Sequence, residues 1–201
     1  MRTLFVVSRM YTKEEFRKLT SGVPNDYDVR VKEYWDGVES AINKFYGKVK
    51  HLYYDSMTYE GERGMKVLES EDPHTYKLFK NCVDEGGAVL HKTEDPDLVE
   101  ETVAWLQMKA DPDVVMKMLK KNLEDRDAYV SKVINETLGD EETGLLVIAP
   151  ARKIHLGKDV KIVKIQPFDP GDYLQSWIKA LATKKKRAEK ASKKRRKKKS
   201  T

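Results

Sequence analysis

Seven polar residues stand where strand-borne chemistry is usually done: Arg9, Asp55, Glu60, Thr93, Glu94, Asp95 and Arg152. Each follows a short apolar run that reads as a buried strand, and ligands of parallel sheets bind beyond the carboxyl ends of the strands. Four separate strand ends could therefore bring these groups into one cleft. Two or three carboxylates beside an arginine can hold a divalent ion, move a proton or bind a polar ligand, so Asp55, Glu94, Asp95 and Arg152 are the catalytic candidates. A structural use competes with this. Residues of these types are preferred helix caps, and Thr93-Glu-Asp95 immediately precedes Pro96, a residue suited to a first helical turn.

The remaining reactive side chains offer less. His51, His74, His91 and His155 show no metal-ligand spacing and read as surface or strand residues. Cys82 is the only cysteine, so no internal disulfide or thiolate cluster can form. It lies on the apolar side of a helical pattern and reads as a small core residue. There is no Walker loop and no G-x-S-x-G elbow. Gly61 and Gly64 make a G-x-x-G inside Glu60-Gly-Glu-Arg-Gly-Met65, but the flanking acids argue against a clamp for phosphates. No metal site and no cofactor is assigned.

The clearest chemical signal is charge. The stretch 184–201 holds 12 of the 39 Lys and Arg and one of the 33 Asp and Glu, a local +11; the rest of the chain holds the other 27 and 32, a net of −5. The overall +6 thus hides a mildly acidic body with a basic tail. Lys184, Lys185, Lys186, Arg187, Lys190, Lys193, Lys194, Arg195, Arg196, Lys197, Lys198 and Lys199 are the candidate nucleic-acid contacts. Such a run repels itself when free, and is expected to be disordered or a frayed extension of the last helix. Against a polyanion the repulsion vanishes, and each neutralised phosphate releases counterions. A solubilising tail is the plainer alternative. Contact with an anionic membrane is disfavoured by the lack of an acyl site or apolar anchor, and the run would also serve as a nuclear signal in a eukaryotic host.

The elements that must position these groups follow from periodicity. Gly144-Leu-Leu-Val-Ile-Ala-Pro150 is an unbroken apolar run, the mark of a strand buried on both faces. Thr3 to Val7, Lys48 to Tyr54 and Gly86 to Leu90 give further strands, and Lys158 to Ile165 alternates apolar residues with lysines as an outer strand would. Between them the spacing predicts helices: a short one capped by Thr12 and Glu15, one over Lys32 to Tyr46, one from Pro73 to about Asp84, one after Asp95, and one from Asp111 stopped by Gly139. A last helix runs from about Pro170 to Leu181. Gly61 and Gly64 are expected in a loop. Strands alternating with helices imply a three-layer α/β domain, 1–183, with a mostly parallel sheet of about five strands, and a basic tail, 184–201.

Tyr53-Tyr-Asp55, Gly61, Thr93-Glu-Asp-Pro96, Arg126-Asp-Ala-Tyr129 and Thr143-Gly-Leu-Leu-Val-Ile148 resemble a widespread, largely uncharacterised prokaryotic α/β family of the erythromycin-esterase and TraB-like superfamily. The likeness covers about Met1 to Tyr173. In the family pattern the strand at Gly144 ends in a glycine and then a loop with a histidine. Here Ala149 and Arg152 occupy those places. An arginine neither shuttles protons near neutral pH nor ligates metals, though it can hold a phosphate or carboxylate, so a histidine-dependent hydrolysis does not carry over.

The expected function is RNA binding in a ribosome- or ribonucleoprotein-associated factor, with rRNA or another RNA as partner. The α/β body would dock by shape while the tail neutralises phosphates. The alternative is a hydrolase-like enzyme, or an inactive relative of one, using the acidic strand-end cleft. No segment approaches the roughly 18 apolar residues of a membrane span, so the chain is expected to be soluble and cytoplasmic, without a membrane partner.

Overall fold

Every apolar run named above becomes a strand of one sheet. In the structure, a computed structural model, residues 1–20 and 22–199 are described, with side chains through Arg187. The chain divides into two compact units, Met1–Arg9 with Tyr34–Pro167, and Met10–Glu33 with the chain from Phe168 onward. The first holds β1 (Arg2–Ser8), β2 (Val49–Tyr54), β3 (Val89–His91), β4 (Thr143–Ile148) and β5 (Val160–Ile165). All pairs are parallel and the order is β3-β2-β4-β1-β5. The central β4 is sealed on both faces, with Leu145, Leu146 and Val147 fully buried, as its unbroken apolar run requires. At the edge, β5 turns Lys161, Ile162 and Lys164 outward, and the lysines blunt an exposed edge against pairing with other chains.

Side chains alternate across the sheet. Leu4, Tyr53, Leu146 and Ile148 face one way, against Val130, Ile134 and Leu138. Val130 and Ile134 belong to the long helix α6, and Leu138 caps it; in chain order the helices are α1 (Lys13–Leu19), α2 (Tyr27–Ile42), α3 (Gly61–Glu71), α4 (Pro73–Gly86), α5 (Pro96–Gln107), α6 (Pro112–Thr137) and α7 (Pro170–Lys199). On the opposite face lie Leu52 and its register partner Leu90. There a Cβ on Gly64 would stand 2.7 Å from Leu90 Cδ2 and 2.7 Å from the Tyr59 carbonyl, so glycine is what allows α3 to approach β3.

Several local expectations need correction. Gly61 and Gly64 are helical: the loop after β2 ends at Glu60, and Gly61, at φ +55°, turns the chain into α3. β3 begins at Val89, later than the expected Gly86, because Gly86 ends α4 and Gly87 caps it in the left-handed region at φ +64°. α2 begins at Tyr27 and ends at Ile42, with a 3-10 turn over Asn43–Lys48. α6 does stop at Gly139 as expected, with Leu138 as an extended C-cap before it, but the stop does not use a left-handed glycine: the Gly139 amide donates to Glu142 Oε2 at 2.7 Å instead.

The second unit is small. Thr12 and Glu15 form the expected reciprocal cap of α1. Phe16 sits buried among Tyr27 and Leu174, with Tyr11, Tyr173, Trp177 and Ile178 around them. Tyr27 donates to the Tyr11 carbonyl at 2.8 Å and Tyr173 to Asp26 at 3.0 Å. The boundary expected after Thr183 falls inside α7, which continues as one helix to Lys199. Among the described residues, no helix is long and apolar enough to cross a membrane.

Candidate functional site

The strand order sets the place. The chain leaves β2 toward β3 on one side and leaves neighbouring β4 toward β5 on the other, so the connections diverge between β2 and β4. Crevices at such a reversal are where open α/β sheets bind ligands. Here the crevice is occupied by the protein's own charges. The Asp55 amide donates to the Val147 carbonyl at 2.9 Å, continuing the sheet one step past β2, and the Ala149 amide donates to Asp55 Oδ2 at 3.2 Å. Arg152 Nη1 donates to Asp55 Oδ1 at 2.6 Å, and Arg152 Nε donates to Asp127 Oδ1. All three side chains are buried, with exposures of 5 %, 7 % and 9 % for Arg152, Asp55 and Asp127. Arg152 Nη2 is buried and has no hydrogen-bond partner among the described residues.

A second pair lies alongside. Arg126 grips Glu94 in a two-pronged contact, Nε to Oε1 at 2.9 Å and Nη2 to Oε2 at 2.5 Å, and Nη2 also reaches Ser56 Oγ at 3.1 Å. Ser56 itself is in the left-handed region, at φ 64°. The hydrogen bonds from Arg126 to Glu94 push the guanidinium above its ordinary range, burial working against them. Thr93 is a fastener. Its hydroxyl donates to the Tyr54 carbonyl and accepts from the Met57 amide, while the Thr93 and Glu94 amides both donate to the Met57 carbonyl.

The connection from β4 to β5 contains no helix, and α6 holds it by a polar ladder. The amides of Lys153, His155 and Gly157 donate to Asp127 Oδ2, Ser131 Oγ and Asn135 Oδ1 at 2.9, 2.9 and 3.1 Å. The spacing is commensurate. Two residues of extended chain advance about 6.6 Å and four residues of helix about 6 Å, so every second amide meets every fourth side chain. Asp127 therefore serves both the ladder and Arg152.

Of the seven strand-end residues, Asp55 and Arg152 are bonded to each other, and Glu94 lies beside them through Arg126. Asp95 is the N-cap of α5, accepting from the Asp97 amide at 3.0 Å, and Pro96 follows in the first turn. Glu60 precedes α3 without a side-chain cap. Arg9 continues β1, its amide donating to the Ile148 carbonyl at 2.8 Å. The sequence reading did not single out Arg126 and Asp127 as site residues. A signal was present: Asp127 and Ser131 stand four apart on the stripe that also carries Val130 and Ile134, and a polar pair on a buried stripe must be bonded to something.

The histidines and the cysteine hold other posts. His51 Nδ1 lies 2.9 Å from His91 Nε2, and His51 Nε2 lies 2.7 Å from Glu142 Oε2. Burial, and then the neighbouring His51, lower the His91 pKa. His74 stacks on Trp35 with ring centroids 5.6 Å apart. Cys82 is fully buried, and burial pushes its thiol up to about 12. Among the described residues, no group of three or more His, Cys, Asp or Glu side chains is arranged to hold a metal ion.

Of the tail candidates, Lys184, Lys185, Lys186 and Arg187 are exposed on α7, with Lys184 Nζ 5.7 Å from the centre of the Trp177 ring. The side chains of Lys190, Lys193, Lys194, Arg195, Arg196, Lys197, Lys198 and Lys199 lie outside the described residues. No model of a protein family, no curated protein and no solved structure matches this chain.

Proposed function

We propose that this chain is an RNA-binding factor of the ribosome or another ribonucleoprotein, in which the basic end of α7 neutralises phosphates and the α/β body supplies the address by shape. The observation that carries it is a charge of +11 within the stretch 184–201 on a chain whose remainder is net −5. Lys184 to Arg187 are exposed on a continuous helix, so the basic end is carried on an element anchored by Leu174 and Trp177. An acidic body presents no broad basic face to a duplex, which favours folded RNA over DNA. The test is fluorescence anisotropy on a structured RNA and co-sedimentation with host ribosomes across a salt series. The full chain is compared with one in which the basic residues Lys193 to Lys199 are all glutamine. Most of the affinity should go, with the slope of log K against log salt reduced by about 0.7 for each single-strand phosphate no longer neutralised. Unchanged binding refutes the reading.

A second reading, a hydrolase-like body or an inactive relative of one within the superfamily it resembles, keeps one observation in its favour. Arg152 Nη2 is buried and unpartnered among the described residues, and a ligand carboxylate or phosphate would complete it. Against it, Asp55 and Glu94 are already bonded to the guanidinium groups of Arg152 and Arg126. Turnover of an ester, peptide or phosphoester that Asp55→Ala abolishes while the fold persists would establish this reading.

A further inference from the structure

The hairpin of α5 and α6 is built unlike the rest of the first unit. α5 has no buried residue along its length, and the first buried residue of α6 is Asn122. Yet the hairpin is not polar. Val103 is 47 % exposed, Leu106 66 %, Met116 66 % and Leu123 38 %. The two helices face each other through Thr102 and Asn122, whose side chains bond at 2.6 Å, and through Asn122 Nδ2 to the Leu98 carbonyl at 2.9 Å.

At about 100° per residue, Val99, Val103 and Leu106 form a stripe roughly a quarter turn beyond the Leu98, Thr102 and Trp105 side that meets α6. Met116, Leu119 and Leu123 form a stripe the same quarter turn beyond Val115 and Asn122. Because the helices run antiparallel, equal rotations bring both stripes to the same side of the hairpin. The result is one apolar face two helices wide.

We propose that this face is where a second copy of the chain docks, the two hairpins closing into a four-helix bundle about a two-fold axis parallel to the helices. Charge selects the occupant. α5 carries Asp97, Glu100 and Glu101 and no Lys or Arg, whereas α6 carries Lys117, Lys120 and Lys121 against Asp113 up to that point. Glu100 and Lys120 lie on the outer flanks of the two stripes and at the same height, since Leu98 and Thr102 both meet Asn122. A two-fold along the helices lays α5 of one copy on α6 of the other and sets each Glu100 against the Lys120 of the second copy. A two-fold across the helices would lay α5 on α5, acid against acid. Lys120 approaches Glu124 of its own helix at 4.0 Å, the outer limit of an ion pair. The apolar stripes supply the affinity, and the exposed charge pairs, weak in themselves, fix the arrangement.

The test is sedimentation velocity of the full chain, freed of nucleic acid, across the micromolar range. A reversible dimer is expected. Leu106→Asp or Met116→Asp should raise the dimer dissociation constant at least about tenfold, with the circular dichroism and melting temperature of the monomer unchanged. Glu100→Lys and Lys120→Glu should each weaken the dimer severalfold, and the double exchange should restore it, which a general loss of folding would not do. A chain that stays monomeric throughout, or a dimer that none of these changes touches, overturns the proposal. A double exchange no better than the single changes overturns the parallel two-fold.

Discussion

Replacing Arg152 by methionine tests the reading of the crevice most directly. Methionine keeps much of the buried stem and removes the charge, leaving Asp55 and Asp127 as two buried carboxylates without their cation. Losing hydrogen bonds alone would cost about 1 kcal/mol each. Stranding a buried charge costs about 3–5 kcal/mol, and it is the larger effect here because two acids lose the same partner. The unpartnered Nη2 works the other way: deleting it relieves about 1–3 kcal/mol of desolvation. The net expectation is a loss of about 3 kcal/mol, which for a chain of this size lowers the melting temperature by about 6–12 °C. Urea unfolding followed by circular dichroism measures it. Arg152→Lys should recover only part of the loss, since one ammonium cannot reproduce two guanidinium bonds in different directions. Combining Arg152→Met with Asp55→Asn and Asp127→Asn should recover most of it. A loss below about 1 kcal/mol for Arg152→Met would refute the account of this cluster as a tightly coupled buried network.

Two further outcomes can be checked on the same instrument. The His91 pKa is lowered in the fold, so the unfolded chain takes up that proton first. Stability is full above the ordinary value of 6.5 and falls as pH drops from there through the lowered value, while Glu142, lowered by His51 and then by the Gly139 amide, adds a second loss in the acid range; His91→Gln should erase the first step. Ser131→Ala removes the middle rung of the ladder and leaves the His155 amide without its acceptor, which should cost about 1–3 kcal/mol and speed amide hydrogen exchange at His155.

Pattern reading located the strands from short apolar runs and, for β5, from alternation with lysines, and it expected a mostly parallel sheet from the helices between most of them. That β5 is also parallel could not be read that way, since no helix joins it to β4. It located Asp55 and Arg152 for the same reason, since strand ends are readable. Gly64 misled it: a glycine in a helix reads as a break unless one knows that β3 lies against it. The ladder on α6 was out of reach for a related reason. Its amides belong to a loop whose sequence, Lys153 to Gly157, carries no periodic signal, and the match arises only once the extended chain is laid along the helix. Arg126 was similarly hidden, because it sits on α6 and its partner Glu94, 32 residues away, comes from the end of β3. The exposed stripes of the hairpin look like ordinary core positions in the sequence, and only their exposure tells otherwise.

The place of β1 in the sheet has a consequence for how the molecule is made. Its neighbours are β4, starting at Thr143, and β5, starting at Val160. A nascent chain emerging from the ribosome therefore carries Leu4-Phe-Val-Val7 with neither of its native partner strands until Thr143 and the residues after it have been made. One flank of β1 waits for Ile148 to leave the exit tunnel, and the other for Ile165. Assembly must be late and non-local, which is slow and leaves an apolar, β-prone segment open to wrong partners in the meantime. Of the five strands of this sheet, the one made first is among the last to be zipped in.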